Sequence, residues 1–396
     1  MAQVMFPVSP KTSFVRDAVS LHTTSKIYQP GLLERWGKSV LYRIAKRRIR
    51  NTNQSDESFQ EITQKIILRG TTFSFLIGFI PSFLFVWISF YIPKFTSIPS
   101  KEALVSISST ILLIGIFTLL EFYLLFIVGL YEAYLMAEAA NLELTEEPEL
   151  ITPVPGMLAR IALEIPDPEL RLFGIDPYKT LNKKTVFLKT IIYKLKVMVS
   201  NLFAKIVLKA LLGRTSLRFY VEYISAPITG FWDGYVTYKI LHELRKRIIS
   251  RKIAEIILLH LRNHHTNLSQ IGKITLIRGI ANSIVFTKTF HPNFEYILLK
   301  LVKEFKIEFD MDEMDDRDKF KAAISNCPAQ EANLIFSIFQ LTSCFDGVLT
   351  KQELEMFPKL FPERESFDIF QTSQLSKLIS GGYLKEATHL AKVMLG

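Results

Sequence analysis

The chain has 396 residues, 49% of them hydrophobic and 22% charged, with 31 Phe and a formal net charge of +10. That length excludes a single small domain, and so apolar a composition beside so many charges means the apolar residues are gathered into particular segments. Only Cys327 and Cys344 are present, which excludes a disulfide framework or a Cys-rich zinc site and fits a reducing compartment. The basic balance suits contact with anionic lipid headgroups or nucleic acid and does not by itself separate them.

The first residues, "MAQVMFPVSPKTSFVRD", have no apolar run, so no cleavable signal peptide is expected and membrane targeting rests on internal segments. Residues 1–70 read as a basic N-terminal region. Its approach to the first apolar run, "GKSVLYRIAKRRIR", carries Lys38, Arg43, Lys46, Arg47, Arg48 and Arg50. Of these, Arg47, Arg48 and Arg50 are expected at lipid headgroups.

Residues 71–131 predict a transmembrane hairpin. "FSFLIGFIPSFLFVWISFYI" (73–92) is twenty residues without a charge, the length that crosses a hydrocarbon core of about 30 Å as a helix. "LVSISSTILLIGIFTLLEFYLLFIVGL" (104–130) is a second such run, interrupted once by Glu121. The connection between them is short and holds only Lys94 and Lys101, so the excess of Lys and Arg on the flanks predicts both termini in the cytoplasm of a bacterial inner membrane. Ser74, Gly78 and Ser82 recur every fourth residue, a small-residue face that allows close helix approach. Pro81 is expected to kink its helix. In the second run Thr118, Glu121, Gly129 and Glu132 share a broad polar face with Ser106 and Thr110, and the small face of the first run is its expected partner.

Glu121 is the most informative residue of the hairpin. An ionised carboxylate at that depth is costly, so it faces protein or is neutral. A proton or cation relay is the functional reading. A hydrogen-bonded glutamate that locks the hairpin near Ser74, or an oligomer contact, is the plainer one and is favoured, because one hairpin supplies too few helices for a pathway.

Residues 132–185 are acidic and then Pro-rich and read as a linker. Residues 186–252 read as a basic, membrane-associated helical hairpin. "VFLKTIIYKLKVMVSNLFAKIVLKALL" is apolar but studded with lysines, and "FYVEYISAPITGFWDGYVTYKIL" holds Glu222, Asp233 and Lys239 with a break expected at "APITG". Spanning would carry a basic connection outside, so a hairpin in or dipping into the inner leaflet fits better than a second spanning pair. Arg245, Lys246 and Arg247 at its end are expected at headgroups. No aromatic stacking platform or recognition helix accompanies these basic runs, so nucleic acid is not the expected partner.

The stretch from "LRLFGIDPYKT" through "LLGRTSLRFYVEYISAPITGFWDGYVTYKILHELR", with "LLERWGKSVLYRIAKRR", resembles a spirochaete (Leptospira-type) integral membrane protein family of unknown function over about half of the chain. "APITGFWD" is also faintly similar to the apolar hairpin of EcsC-like proteins. These resemblances imply a location and an architecture, with no catalytic motif.

Residues 253–396 read as a helical region. "HPNFEYILLKLVKEFKIEF" places Phe294, Ile297, Leu298, Leu301, Val302 and Phe305 on one face, as a core helix does. His260 and His264 have a ligand spacing, but no glutamate of the HExxH kind accompanies them, and solvated histidines at a helix C-terminus are the stronger reading. "DMDEMDDRD" (310–318) lacks the spacing of a calcium loop and fits an acidic helix N-terminus or a solvated loop. "TSCFDGVLTKQE" puts Gly347 and Glu353 at the sixth and twelfth positions of a calcium loop, but Thr342 and Cys344 stand where carboxylates belong. The expected structure is a turn at Asp346–Gly347 followed by a capping box between Thr350 and Glu353. This turn resembles that of TerB-like (tellurite-resistance) helical domains over about 330–395, some of which bind calcium; Asp346 and Glu353 are the matching positions, and the second acidic turn is missing.

The sequence thus predicts an all-α protein: a two-span hairpin, basic membrane-associated helices and a cytoplasmic TerB-like bundle, with no metal or cofactor. The leading expectation for function is a non-enzymatic membrane scaffold or sensor whose bundle binds another protein, with self-association also open. The alternative is an oligomeric channel or transporter component using Glu121.

Overall fold

The structure is a computed structural model that describes residues 30–47, 57–89, 101–147, 150, 152–165, 175, 218–264, 268–288, 292–306, 314–351, 353–355 and 369–396. Among these residues there is no strand. Helices α1 (Leu32–Arg47), α2 (Phe59–Ser89), α3 (Lys101–Ala139) and α4 (Val154–Ala162) precede the longest one, α5 (Arg218–His264). After it come α6 (Gln270–Thr287), α7 (Pro292–Phe305), α8 (Arg317–Ser325), α9 (Ala329–Ser343), α10 (Ile369–Gly381) and α11 (Leu384–Leu395).

Local chemistry sets several of these ends. Ser58 and Glu61 exchange hydrogen bonds at the start of α2, Ser58 N–H to Glu61 Oε2 at 3.0 Å and Glu61 N–H to Ser58 Oγ at 3.3 Å. This capping box satisfies two donors the first turn leaves over, and α2 therefore begins well before the apolar run. Ser269 caps α6 by accepting from Gly272 N–H. Asp316 caps α8 by accepting from Asp318 and Lys319 N–H, which makes the acidic run a helix N-terminus.

Two segments are long and apolar enough to cross a membrane, Phe59–Leu84 in α2 and Gly115–Ala139 in α3, and only 33% and 28% of them are buried. A soluble core helix of that composition would be mostly covered. Instead Phe73, Leu76, Ile80, Phe83, Leu84 and Trp87 on α2, and Leu112, Ile116, Leu119, Leu120 and Tyr123 on α3, stand exposed. At 31 and 39 residues, about 46 and 58 Å at 1.5 Å per residue, both helices outrun a bilayer and continue into the bundle. The inter-span loop and residues 186–217 lie outside the described residues, as do Arg48 and Arg50.

Helix α5 differs from expectation. It is one helix of 47 residues that passes through Pro227, with no break at "APITG" and no boundary at 252. A proline removes one backbone donor and crowds the preceding turn, which a helix packed along its length on α2 tolerates. Its second half is the axis of the core: Leu241, Leu244, Ile248, Ile249, Ile253, Ala254, Ile257 and Leu261 are all but fully buried. Against it pack α7, with Phe294, Ile297, Leu298 and Leu301 buried, α9 with Phe339, α10 with Ile379 and α11 with Ala387 and Ala391, while α6, with Ile277, Ile280 and Ile284 buried, packs on α9, α8 and α7.

The acidic, Pro-rich stretch read as a linker also belongs to this core where it is described. Every residue of α4 is buried. Arg160 on α4 pairs with Glu34 on α1 at 2.7 Å, and both side chains are almost wholly enclosed. Glu147 meets Arg251 at 3.1 Å and Lys300 at 2.5 Å, and Thr152 N–H donates to Glu295 at 3.2 Å. Arg251 also stacks on Tyr296, 3.1 Å from the ring centroid. Burial pushes the Arg251 guanidinium below its ordinary pKa, while Tyr296, Glu147, Glu255 and Glu295 sustain its charge. Glu147, which looks like part of a solvated spacer in sequence, is here the counter-charge of the buried Arg251 on α5 and of the half-buried Lys300 on α7.

Candidate functional site

Helix α5 runs antiparallel to α2, and small residues line both sides of the seam. Gly70, Ser74 and Gly78 on α2 face Leu241, Thr237 and Asp233 on α5: a Cβ on Gly70 would lie 2.8 Å from Leu241 Cδ1, and one on Gly78 would lie 2.2 Å from Asp233 Oδ2. Thr237 Oγ1 donates to Ser74 Oγ at 2.8 Å. From the other side, a Cβ on Gly230 would meet Phe75 O at 2.7 Å, and one on Gly234 would meet Thr71 O at 3.3 Å. Two facing rows of small residues thus let the backbones nearly touch, the device by which helices associate where no hydrophobic driving force acts.

This corrects the expected partner of Ser74 and Gly78, which is α5 rather than α3. The polar face of α3 is used elsewhere. Glu132 takes a bidentate ion pair from Arg69, Nε to Oε1 at 2.9 Å and Nη2 to Oε2 at 2.5 Å. Gly129 lies against Ala162 O of α4. Thr118 is half-buried. Glu121 is 5% exposed and Asp233 is 1% exposed. Counting back along α3 from the Arg69–Glu132 pair, Glu121 stands about 16 Å away; counting back along α5 from Leu241, which meets Gly70 beside Glu132, Asp233 stands about 12 Å away in the same direction. Two buried carboxylates therefore occupy similar heights. In the sequence Asp233 reads only as an obstacle to spanning; the Ala226, Gly230, Gly234 spacing is the signal that its helix packs closely on a neighbour. Ile228, Phe231, Tyr235 and Tyr238 of α5 are exposed at the same level as the apolar belt of α2.

The basic residues at the end of the expected hairpin pack against protein. Arg245 is 6% exposed; its Nη2 donates to Ser380 O at 3.0 Å and lies 3.1 Å from His242 Nδ1. It braces the turn at Gly382, where φ is +89° and a Cβ would meet Arg245 at 2.9 Å. Arg247, largely covered, donates to Glu243 at 3.1 Å. Lys246 is half-buried, with its stem against Gly347. A charge run looks the same in sequence whether lipid or helices α10 and α11 cover it. Arg47 remains exposed.

The turn after α9 has the geometry of a capped connection. Gly347 has φ +68°, Val348 N–H donates to Asp346 Oδ1 at 2.9 Å, and Thr350 and Glu353 exchange hydrogen bonds at 2.7 and 3.2 Å. Burial, with Glu353 and Glu243 nearby, raises the Asp346 carboxyl to about 6 against the pull of Val348 N–H and Lys246. Among the described residues no group of three or more His, Cys, Asp or Glu is arranged to hold a metal, His260 included.

A third feature lies on α1. Arg35, Lys38, Ser39, Tyr42, Arg43 and Lys46 line an open cleft of about 470 Å³. Glu146 is the acidic group paired there, 3.0 Å from Lys38 Nζ and accepting from Tyr42 Oη at 2.9 Å. Burial, then the hydrogen bond to and charge of Glu146, push the Tyr42 hydroxyl well above its ordinary pKa, so it stays a neutral donor.

Comparison with family models, with curated proteins and with solved structures finds no match to the chain. What can be said about function therefore comes from the helices and their side chains.

Proposed function

We propose that the chain is a non-enzymatic scaffold or sensor of the bacterial inner membrane, with both termini cytoplasmic, whose C-terminal TerB-like bundle binds another protein. The observation that carries this reading is α5. At 47 residues, about 70 Å, one helix forms the small-residue seam with α2 at one end and the axis of the bundle at the other. A change in the apolar layer that shifts α5 must therefore move the groups packed on its far half, including the turns at Gly347 and Gly382. The basic flanks of the two apolar segments favour the cytoplasmic placement, and the bundle offers Phe370, 74% exposed, and Val393, 54% exposed, as contact points. A photoreactive amino acid placed at Val393 in intact cells should give a discrete adduct with a second protein that weakens on Phe370→Asp. Adducts with the chain alone would mean self-association only, and absence of any adduct from Val393 contradicts the reading.

The two buried acids at similar heights favour a second reading, an oligomeric channel or transporter component that uses Glu121. It predicts that Glu121→Gln abolishes flux in liposomes while insertion is unchanged; the scaffold reading predicts that no Glu121-dependent flux exists.

A further inference from the structure

We propose that the cleft along α1 is a binding site for the phosphate of an anionic phospholipid headgroup, held by Arg35, Arg43 and Lys46. The proposal rests on the membrane reading above and adds a specific lipid site to it. Four cations line the cleft, and Glu146 engages Lys38 and Tyr42. Arg43 Nη2 turns to Ser39 Oγ at 3.2 Å, a hydroxyl pair that also suits phosphate oxygens. Arg35 and Lys46 are exposed and have no partner among the described residues. Such a surplus of positive charge is complementary to phosphate, and guanidinium groups match its oxygens in bidentate fashion.

The position of the cleft commits it to lipid. On the flank of α1 next to the cleft, Trp36 meets Tyr123 and Phe126 of the apolar helix α3, with ring centroids 6.2 and 6.4 Å apart. Trp and Tyr gather at the headgroup level, where an apolar ring meets polar water. Leu32, 85% exposed, and Leu33, 40% exposed, extend the apolar edge at the start of α1, where acyl chains would cover them. Helix α1 cannot roll away from this level. Gly37 fits against Leu163, Ala159 and Leu130, and the buried Glu34–Arg160 pair fixes the adjoining turn. The cleft therefore opens beside the acyl boundary, with its cations where phosphates lie.

The full chain, purified in detergent and mixed with equal amounts of phosphatidylglycerol and phosphatidylcholine, is examined by native mass spectrometry. The wild type should retain phosphatidylglycerol preferentially, Lys46→Gln should lower that preference about 5-fold, and Arg35→Gln/Arg43→Gln/Lys46→Gln should abolish it. Excess inorganic phosphate should not displace the lipid. Equal retention of both lipids, or a triple variant that matches the wild type, overturns the proposal; full displacement by inorganic phosphate overturns it in favour of a soluble-phosphate site. Circular dichroism checks the fold, and if the triple variant is unfolded Lys46→Gln decides. A chain that leaves membranes in alkaline carbonate refutes the membrane reading itself, whereas an integral protein indifferent to lipid charge refutes only this site.

Discussion

Replacing Gly230 by alanine tests the seam where it comes closest to a backbone atom. The new methyl carbon would lie 2.7 Å from Phe75 O, 3.0 Å from Phe79 Cβ and 3.2 Å from Phe79 N. A backbone carbonyl cannot swing aside as a side-chain end can, so reaching an ordinary C···O contact of about 3.3 Å requires α2 and α5 to part by roughly 0.6 Å. Overpacking of this kind costs about 1–3 kcal/mol, and stretching the Thr237–Ser74 hydrogen bond adds about 0.6 kcal/mol. Gly115 on α3 is the matched control, because a Cβ there meets nothing within 4 Å; alanine at that position should be neutral or stabilising by about 0.5–1 kcal/mol through helix propensity. Equilibrium unfolding in mixed micelles, followed by circular dichroism, reads both variants. Gly230→Ala should be the less stable of the two by about 2–4 kcal/mol. Equal stabilities would falsify the close antiparallel approach of α2 and α5.

Two further outcomes follow from the bundle. The Asp346 carboxyl, raised from 3.8 to about 6, holds a proton in the folded state that the unfolded chain releases, so its contribution to stability falls as pH rises between about 4 and 6 and is fully lost above. At about 1.36 kcal/mol per pH unit this is at most about 3 kcal/mol. Asp346→Asn keeps an oxygen for Val348 N–H and carries no charge, so its melting temperature should exceed that of the wild type at pH 8, with the gap closing toward pH 4; a pH-independent difference contradicts the assignment. Arg160→Met strands the carboxylate of Glu34 in a site where both side chains are nearly wholly enclosed and should cost about 3–5 kcal/mol. Thermal unfolding should show most of that loss recovered in Glu34→Met/Arg160→Met, and a double variant as unstable as the single one would mean the pair is not the cause.

Local signals in this sequence were legible because their chemistry is contained within a few residues. The charge-free run 73–92, the positive φ at Gly347 and the reciprocal hydrogen bonds of Thr350 and Glu353 each depend on neighbours in the chain. Partners distant in sequence were not legible. Ser74 and Gly78 announce a close contact through their spacing, yet nothing in that spacing selects Thr237 and Asp233 over residues of α3. Arg245 and Glu147 have charges that suit lipid or water equally well. Only the course of α5 through the bundle shows Arg245 against Ser380 O and Glu147 against Arg251. Pro227 misled for a similar reason, since a proline weakens a helix on its own but not one held by a packed neighbour.

The continuity of α5 between the apolar layer and the bundle is the central claim, and a distance measurement tests it most directly. Phe231 and Leu259 are exposed, at 67% and 59%, and a straight helix separates them by about 42 Å at 1.5 Å per residue. Spin labels at these two positions, in a chain with Cys327 replaced and the fully buried Cys344 left unlabelled, are read by pulsed electron paramagnetic resonance in liposomes. A single narrow distribution centred near that distance is the predicted result. A second, shorter population, or one broad distribution, would mean that α5 bends between its seam with α2 and the bundle and does not couple them.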